Sequence, residues 1–128
     1  SEAIQSLVDL GTTFLDLAGV EPGPLQQGVV QTDTWTDPAN AARDWALVES
    51  RPTDSDFMQK VFYHDRYKLV VYSNEEYGEL YDMTADPDQL RNLYDLAEFA
   101  DMRNRLLRAF IAAEMEKEGM RRKRIAVA

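Results

Sequence analysis

Apolar and polar residues alternate through the middle of the chain in the pattern of short strands. The alternation is clearest where Tyr67, Leu69 and Val71 are interleaved with polar and apolar neighbours that face the other way. The same pattern predicts four strands, at residues 44–49, 58–64, 67–72 and 77–83. Only Asp65 and Arg66 separate the second strand from the third, and such a short link favours an antiparallel meander.

A different period follows the last strand. Apolar residues then recur every three or four positions, at Phe99, Met102, Leu106, Phe110 and Ala113. This spacing predicts an amphipathic helix of about five turns that ends near Gly119. Two helix starts are expected before it. One has Asp86 as the cap, Pro87 in the first turn and Gln89 closing a capping box; the other has Asp95 in the capping role.

The N-terminal part carries a shorter helical pattern. Thr12 is expected to cap a helix that runs to Ala18, with Gly19 as the residue that ends it. Residues 26–43 keep no period and are predicted to form a mobile loop. The expected fold is therefore α+β, with a four-stranded antiparallel sheet packed against a long C-terminal amphipathic helix and a short N-terminal helix elsewhere. The predicted parts are residues 1–25, 26–43 and 44–128.

Composition and charge exclude several classes of protein. The 128 residues predict one compact domain, and 45% hydrophobic and 29% charged residues are typical of soluble proteins. No apolar run is long enough to span a membrane, and the N-terminus lacks the pattern of a signal peptide; the compartment stays unassigned. The net charge of −9 disfavours nucleic-acid binding. Residues 121–124 form a basic cluster. A solvated tail is the favoured interpretation, and a binding patch for nucleic acid or anionic membrane is the alternative.

Candidate chemistry is sparse. The chain has no Cys, which removes thiolate metal sites and Cys nucleophiles, and it has a single His. Asp82, Asp86 and Asp88 form an acidic cluster that could hold a cation, but its spacing does not fit a calcium loop. Capping of backbone N–H groups is the favoured interpretation. We expect neither a catalytic residue nor a metal site in this chain.

Two further groups of residues have a functional and a structural interpretation. His64, Arg66 and Lys68 could form an anion-binding rim for a substrate, or they could be the polar face of a hairpin. The strand aromatics could form a stacking platform, although strands favour aromatics for packing alone. Those aromatics are Phe62, Tyr63, Tyr67, Tyr72, Tyr77 and Tyr81.

Three segments resemble the sulfatase family in chain order. Residues 78–93, GELYDMTADPDQLRNL, resemble the family pattern G-E-L-Y-D-L-x-x-D-P-x-E-x-x-N-L. Residues 8–20, VDLGTTFLDLAGV, resemble v-D-l-x-P-T-l-l-d-l-a-G-i, and residues 65–70, DRYKLV, resemble t-x-r-y-K-l-i. Thr12 stands where the family usually has Pro, and Gln89 where it usually has Glu. The resemblance implies the small C-terminal subdomain of a sulfatase.

The same resemblance implies a catalytic N-terminal domain that precedes these residues in a longer parent protein. That parent would hydrolyse sulfate esters with formylglycine and calcium, and the Cys/Ser-x-Pro-x-Arg motif that matures to formylglycine is absent here. The N-terminal helix would pack on the large domain, so without it the apolar residues of this helix would lack cover. We then expect the helix to be reoriented, mobile or used in self-association. Those residues are Leu7, Val8, Leu10, Phe14, Leu15 and Leu17.

Two alternatives stay open at this point. One is a stand-alone protein-interaction module that has no enzymatic parent. The other is the corresponding subdomain of a related phosphonate or phosphate monoester hydrolase.

Overall fold

The computed structural model describes residues 3–23, 26–52 and 56–118. Their secondary structure follows the expected α+β order of a short helix, a sheet and a long helix. The elements are α1 (Val8–Leu17), α2 (Thr32–Thr36), β1 (Trp45–Ser50), β2 (Gln59–His64), β3 (Tyr67–Tyr72), β4 (Gly78–Asp82), a 3₁₀ turn (Ala97–Phe99) and α3 (Ala100–Glu118).

The four strands form one antiparallel meander in the order β1-β2-β3-β4. The bounds of β3 are those that the alternation predicts. Strand β2 begins one residue later than predicted, and β1 and β4 differ from the prediction by one residue at each end. The register places Phe62 opposite Leu69, and Leu69 opposite Leu80. This row of apolar side chains runs across the sheet on a single face, because successive residues of a strand point to opposite sides.

Helix α3 covers that face. Phe62, Leu69 and Leu80 are almost completely buried, and they form one core with Leu106 and Ala113 of α3. The residues that step by three and four along the sequence are therefore the ones that meet the sheet, as the pattern predicts. Each large side chain buried in this way contributes roughly 1.5–3 kcal/mol to stability. The sheet and α3 thus form the stable part of the molecule.

The predicted helix start at Asp86 is wrong. No helix begins at Asp86, and the chain makes a turn there in which the Asp86 carboxylate accepts hydrogen bonds from the N–H groups of Leu90 (3.1 Å) and Arg91 (2.9 Å). Gln89 adopts a left-handed φ of 54°, which a continuing helix would not allow. The Asp-Pro pair therefore performs the expected capping chemistry, but in a turn.

The predicted cap at Asp95 is also wrong. The 3₁₀ turn begins at Ala97, and Leu96 precedes it without a side-chain hydrogen bond. Glu98 and Phe99 then lead directly into α3, which begins at Ala100.

The N-terminal helix differs from the prediction at its start and agrees with it at its end. It begins at Val8, so Thr12 lies inside α1, where it is buried and does not cap. Gly19 has a φ of +70° and donates its N–H to Asp16 O at 2.9 Å, while Val20 N–H donates to Leu15 O at 2.9 Å. This pair of hydrogen bonds is a Schellman motif, which confirms Gly19 as the residue that ends the helix. Residues 26–43, predicted as a loop, include the short helix α2.

Within the described residues, no helix has both the length and the hydropathy that crossing a bilayer requires. The basic cluster at 121–124 and the predicted helix end at Gly119 lie outside the described residues.

One ion-pair network links the sheet edge to α3. Glu49 of β1 accepts hydrogen bonds from Lys60 of β2 (3.1 Å) and Lys117 of α3 (2.6 Å), and Lys60 also contacts Glu114 (2.8 Å). The hydrogen bonds from Lys117 and Lys60 lower the pKa of Glu49 from 4.5 to about 2. The network therefore stabilises the fold while Glu49 is ionised.

This depressed pKa predicts a dependence of stability on pH. The contribution of Glu49 is complete above about pH 4.5 and is lost as the pH falls towards about 2. We expect Glu49→Gln to cost about 1 kcal/mol at neutral pH and to be neutral near pH 2. Urea unfolding of both proteins at several pH values measures this difference. An equal difference at every pH would contradict the prediction.

Candidate functional site

A cleft lies beside the β2–β3 hairpin. The two-residue link is possible because Asp65 adopts a left-handed φ of 51°. The backbone oxygen of Arg66 then accepts a hydrogen bond from Met83 N–H at 2.7 Å, which brings the turn after β4 next to the hairpin. We call the resulting space, of about 980 Å³, the hairpin cleft. Its lining includes Ile4, Arg66, Tyr67, Met83, Met102 and Arg105.

Arg66 is held at the cleft by two contacts. Its guanidinium lies 3.0 Å from a carboxylate oxygen of Asp82 and donates to the Tyr67 hydroxyl at 3.1 Å. Asp82 also accepts hydrogen bonds from the N–H groups of Thr84 and Ala85, each at 3.1 Å. Asp82 and Asp86 therefore act on backbone N–H groups, as the capping interpretation predicts. In the described ranges, no three His, Asp or Glu residues cluster in a way that could hold a metal ion.

The structure does not bring the three predicted rim residues together. His64 points to the α3 side of the sheet, where its ring meets the edge of Phe62 at a centroid distance of 5.7 Å. Lys68 points to the opposite side, where it donates to Gln89 and lies 5.8 Å from the Tyr81 ring centroid. Only Arg66 lines the hairpin cleft. The strand alternation separates these residues, because positions 64 and 68 face different sides once two residues form the turn.

The side of the sheet opposite α3 carries a tyrosine cluster around Glu79. The hydroxyls of Tyr72 (2.5 Å) and Tyr77 (3.2 Å) donate to the Glu79 carboxylate, and the two rings stack at 5.4 Å. Burial and the hydrogen bond to Glu79 raise the pKa of Tyr81 to about 12. Burial alone would raise the pKa of Glu79, but the tyrosine hydroxyls outweigh it and lower that pKa. The polar ends of these aromatics are thus occupied within the fold. Phe62 and Tyr67 belong to the core on the other side.

A buried polar network joins α1 to the segment that follows it. One oxygen of the Asp9 carboxylate accepts from Ser6 N–H and Gln31 Nε2, both at 2.9 Å. The other oxygen accepts from Val29 N–H at 3.0 Å and pairs with the Arg43 guanidinium. Burial would raise the pKa of Asp9, but these hydrogen bonds outweigh it and lower that pKa. Asp9 is therefore an ionised structural residue that ties α1 to the start of β1.

The apolar side of α1 faces outward. The buried residues of α1 are Asp9, Thr12 and Thr13, whereas Phe14 is 59% exposed and Leu17 is 62% exposed. Leu7, just before the helix, is 85% exposed. An isolated globular protein buries the apolar side of a surface helix, so this helix is inverted relative to the rest of its own chain. We call the exposed residues Leu7, Leu10, Phe14 and Leu17 the α1 patch.

Comparison with known proteins identifies the family of this chain. Residues 1–116 match the family described as N-sulphoglucosamine sulphohydrolase, C-terminal. The chain belongs to this family. It is also 32% identical over 114 residues to an N-acetylglucosamine-6-O-sulfatase of Bacteroides thetaiotaomicron, covering 84% of this chain and 20% of that protein. The chain therefore spans about a fifth of the length of the curated relative that it matches.

Solved structures share the fold of this sulfatase C-terminal domain. A protein solved in complex with its substrate D-glucosamine-2-N,6-O-disulfate is 25% identical, with a TM-score of 0.82, and the match covers 93% of this chain and 26% of that one. The phosphonate monoester hydrolase of Agrobacterium radiobacter is 20% identical, with a TM-score of 0.73, over 91% of this chain and 26% of that one. The second likeness is one of fold alone.

The segment that carries the strongest sulfatase resemblance has a structural role that sequence reasoning missed. The Asn92 side chain donates to Gly78 O at 3.0 Å and accepts from Leu80 N–H at 3.0 Å and Tyr94 N–H at 2.9 Å. It thereby pairs the backbone groups of β4, an edge strand of the sheet. The one available signal was the Asn-Leu pair at the end of the motif, whose partners lie too far along the chain for a local pattern to identify.

Proposed function

We propose that these residues form the C-terminal subdomain of a longer enzyme that hydrolyses the sulfate ester of a sulfated saccharide. The family match and the names of two similar proteins support this substrate class. The subdomain itself contributes stability and part of the substrate rim, with Arg66 as the rim residue that the hairpin cleft favours over His64 and Lys68. Catalysis would belong to the N-terminal domain of the parent protein.

The observation that carries this proposal is the α1 patch. Its residues are apolar and exposed, while Asp9 on the polar side of the same helix hydrogen-bonds to Val29 N–H and Gln31 Nε2 and pairs with Arg43. A helix held in this orientation by its own buried network presents a preformed apolar surface. The partner that we propose for this surface is the catalytic domain of the same parent protein.

The residues present here do not fit the cofactors of such an enzyme. Formylglycine derives from a motif that the chain lacks, and the carboxylates of Asp82 and Asp86 are already engaged with backbone N–H groups and, for Asp82, with Arg66. We therefore assign calcium and formylglycine, as parts of this proposal, to the N-terminal domain of the parent protein. The subdomain holds neither.

Substitution of Phe14 tests the docking proposal. In the full-length protein, we expect Phe14→Ser to lower the free energy of unfolding by about 2–3 kcal/mol, because a ring buried between domains becomes a hydroxyl. In the 128-residue chain alone, the same change should cost less than about 0.5 kcal/mol, since the ring is exposed there. Thermal and urea unfolding of the full-length protein and of the 128-residue chain, each with and without the substitution, measure the two changes in unfolding free energy.

Leu90 offers a matched control. It is 85% exposed, lies in the turn after β4 and is not part of the α1 patch, so Leu90→Ser should have little effect at either length. Equal losses for Phe14→Ser and Leu90→Ser in the full-length protein would refute the docking surface. Release of inorganic sulfate from a sulfated glucosamine tests the proposed activity separately.

A second copy of the chain is the other partner that could cover the α1 patch. Such self-association predicts that the 128-residue chain forms dimers in solution and that Phe14→Ser makes it monomeric. Sedimentation velocity distinguishes the two cases, because docking within one parent protein predicts a monomeric full-length enzyme.

A further inference from the structure

We infer that the hairpin cleft binds a non-reacting anionic substituent of the sulfated saccharide, with Arg105 as the residue that pairs with it. The inference rests on the proposed function and assigns a specificity-determining residue to the subdomain. The anionic substituent is a second sulfate group or a carboxylate, whose planar or tetrahedral oxygens a guanidinium binds with two donors.

The charges in the cleft single out Arg105. Arg43 pairs with the buried Asp9, and Arg66 pairs with Asp82 at 3.0 Å. Within residues 3–23, 26–52 and 56–118, Arg105 makes no ion pair, and its guanidinium lies 3.0 Å from the sulfur of Met102. A thioether is a weak acceptor, so the donors of this guanidinium are available to a ligand.

The hairpin cleft lies beside the first described residues of the chain. Ile4, near the start of the described chain, lines the same cleft as Arg66 and Tyr67. The part of the parent that precedes these residues would therefore reach the rim of the cleft. Ligand sites occur preferentially where two domains meet, and this boundary is such a place.

Two carboxylates restrict which ligands fit. Asp44 and Asp65 also line the cleft, and a carboxylate there would accept hydrogen bonds from hydroxyl or amino groups of a ligand and repel anions. A polyanion such as nucleic acid is therefore disfavoured. A saccharide that carries one anionic group near Arg105 and hydroxyl groups near Asp44 and Asp65 satisfies both kinds of side chain.

Two arginines on one helix allow a matched test in the full-length protein. Arg105→Gln removes the charge from the cleft, and Arg108→Gln removes an equal charge from an exposed position of α3 that does not line it. We expect Arg105→Gln to weaken binding of D-glucosamine-2-N,6-O-disulfate about tenfold by calorimetry, the factor that one charge-assisted hydrogen bond supplies. Arg108→Gln should leave the Kd unchanged, and Arg105→Lys should lose less than Arg105→Gln.

Each outcome of the titration decides the inference. Equal Kd values for the two Gln variants, or no binding by the unchanged protein, overturn it. Inorganic sulfate is titrated separately and must bind far more weakly than the sulfated sugar. If the two had equal affinity, the site would bind only a free anion, and saccharide recognition would be overturned. Sulfate release is measured in parallel: its absence refutes the proposed function, whichever Kd values are found.

Discussion

Replacing Asp9 with Asn is expected to lower the free energy of unfolding by about 3–5 kcal/mol. The carboxylate that is removed pairs with Arg43, and both side chains are buried, with 1% and 9% exposure. The substitution leaves the Arg43 charge without its counterion and puts an amide N–H₂ where an acceptor is needed for Ser6, Val29 or Gln31. Urea unfolding followed by the fluorescence of Trp45, which lies next to Arg43, measures the loss.

Asp16→Asn is the control for this prediction. Asp16 is exposed on the same helix, and its carboxylate accepts a long hydrogen bond of 3.5 Å from the Thr32 hydroxyl, so we expect a change within about 0.5 kcal/mol. The double variant Asp9→Asn with Arg43→Gln should be less destabilised than the sum of the single variants, because the unpaired charge is gone. Additive losses would show that the two side chains are not coupled.

The sequence predicts the sheet and α3 well because both depend on local periods. Alternation around Tyr67 to Tyr72 and the three-four spacing from Phe99 to Ala113 report directly which side chains face the core. The turn at Asp65 is equally local, since its two-residue length leaves few alternatives. These parts of the fold would be predicted without knowledge of any relative.

The parts that the sequence does not predict depend on residues that are distant in the chain. Asp86 and Pro87 can start a helix or a turn, and here they form a turn, after which the Asn92 side chain binds β4 more than ten residues earlier. In α1 the polar residues Asp9, Thr12 and Thr13 are buried, and the apolar residues face away from the rest of the described chain. A periodic pattern identifies an apolar side of a helix, but it does not identify the surface that covers it.

The candidate site illustrates the same limit. The sequence predicts a rim of His64, Arg66 and Lys68 from their charge and closeness in the chain, and the structure places Arg66 in the hairpin cleft with Asp82. The strands direct His64 and Lys68 to opposite sides of the sheet. Arg105 comes from α3, and only the packing of α3 on the hairpin brings it to the cleft.

Removal of the Asn92 side chain is expected to lower the free energy of unfolding by about 2–4 kcal/mol, since Asn92→Ala leaves three backbone groups of a partly buried edge unpaired. Asn92→Asp keeps the acceptor for the N–H groups of Leu80 and Tyr94 but loses the donor to Gly78 O. It should therefore lose less than Asn92→Ala. Urea unfolding gives both values.

Amide hydrogen exchange tests the same prediction at individual N–H groups. In Asn92→Ala, the N–H groups of Leu80 and Tyr94 should exchange faster, whereas in Asn92→Asp they should stay protected, because a carboxylate accepts both hydrogen bonds. Asn104→Ala, at an exposed position of α3, controls for the loss of an Asn side chain and should be neutral. If Asn92→Ala and Asn104→Ala had the same stability and the same exchange at Leu80, then Asn92 would not hold the edge of the sheet. The Asn-Leu pair of the sulfatase motif would then need another explanation than the pairing of β4.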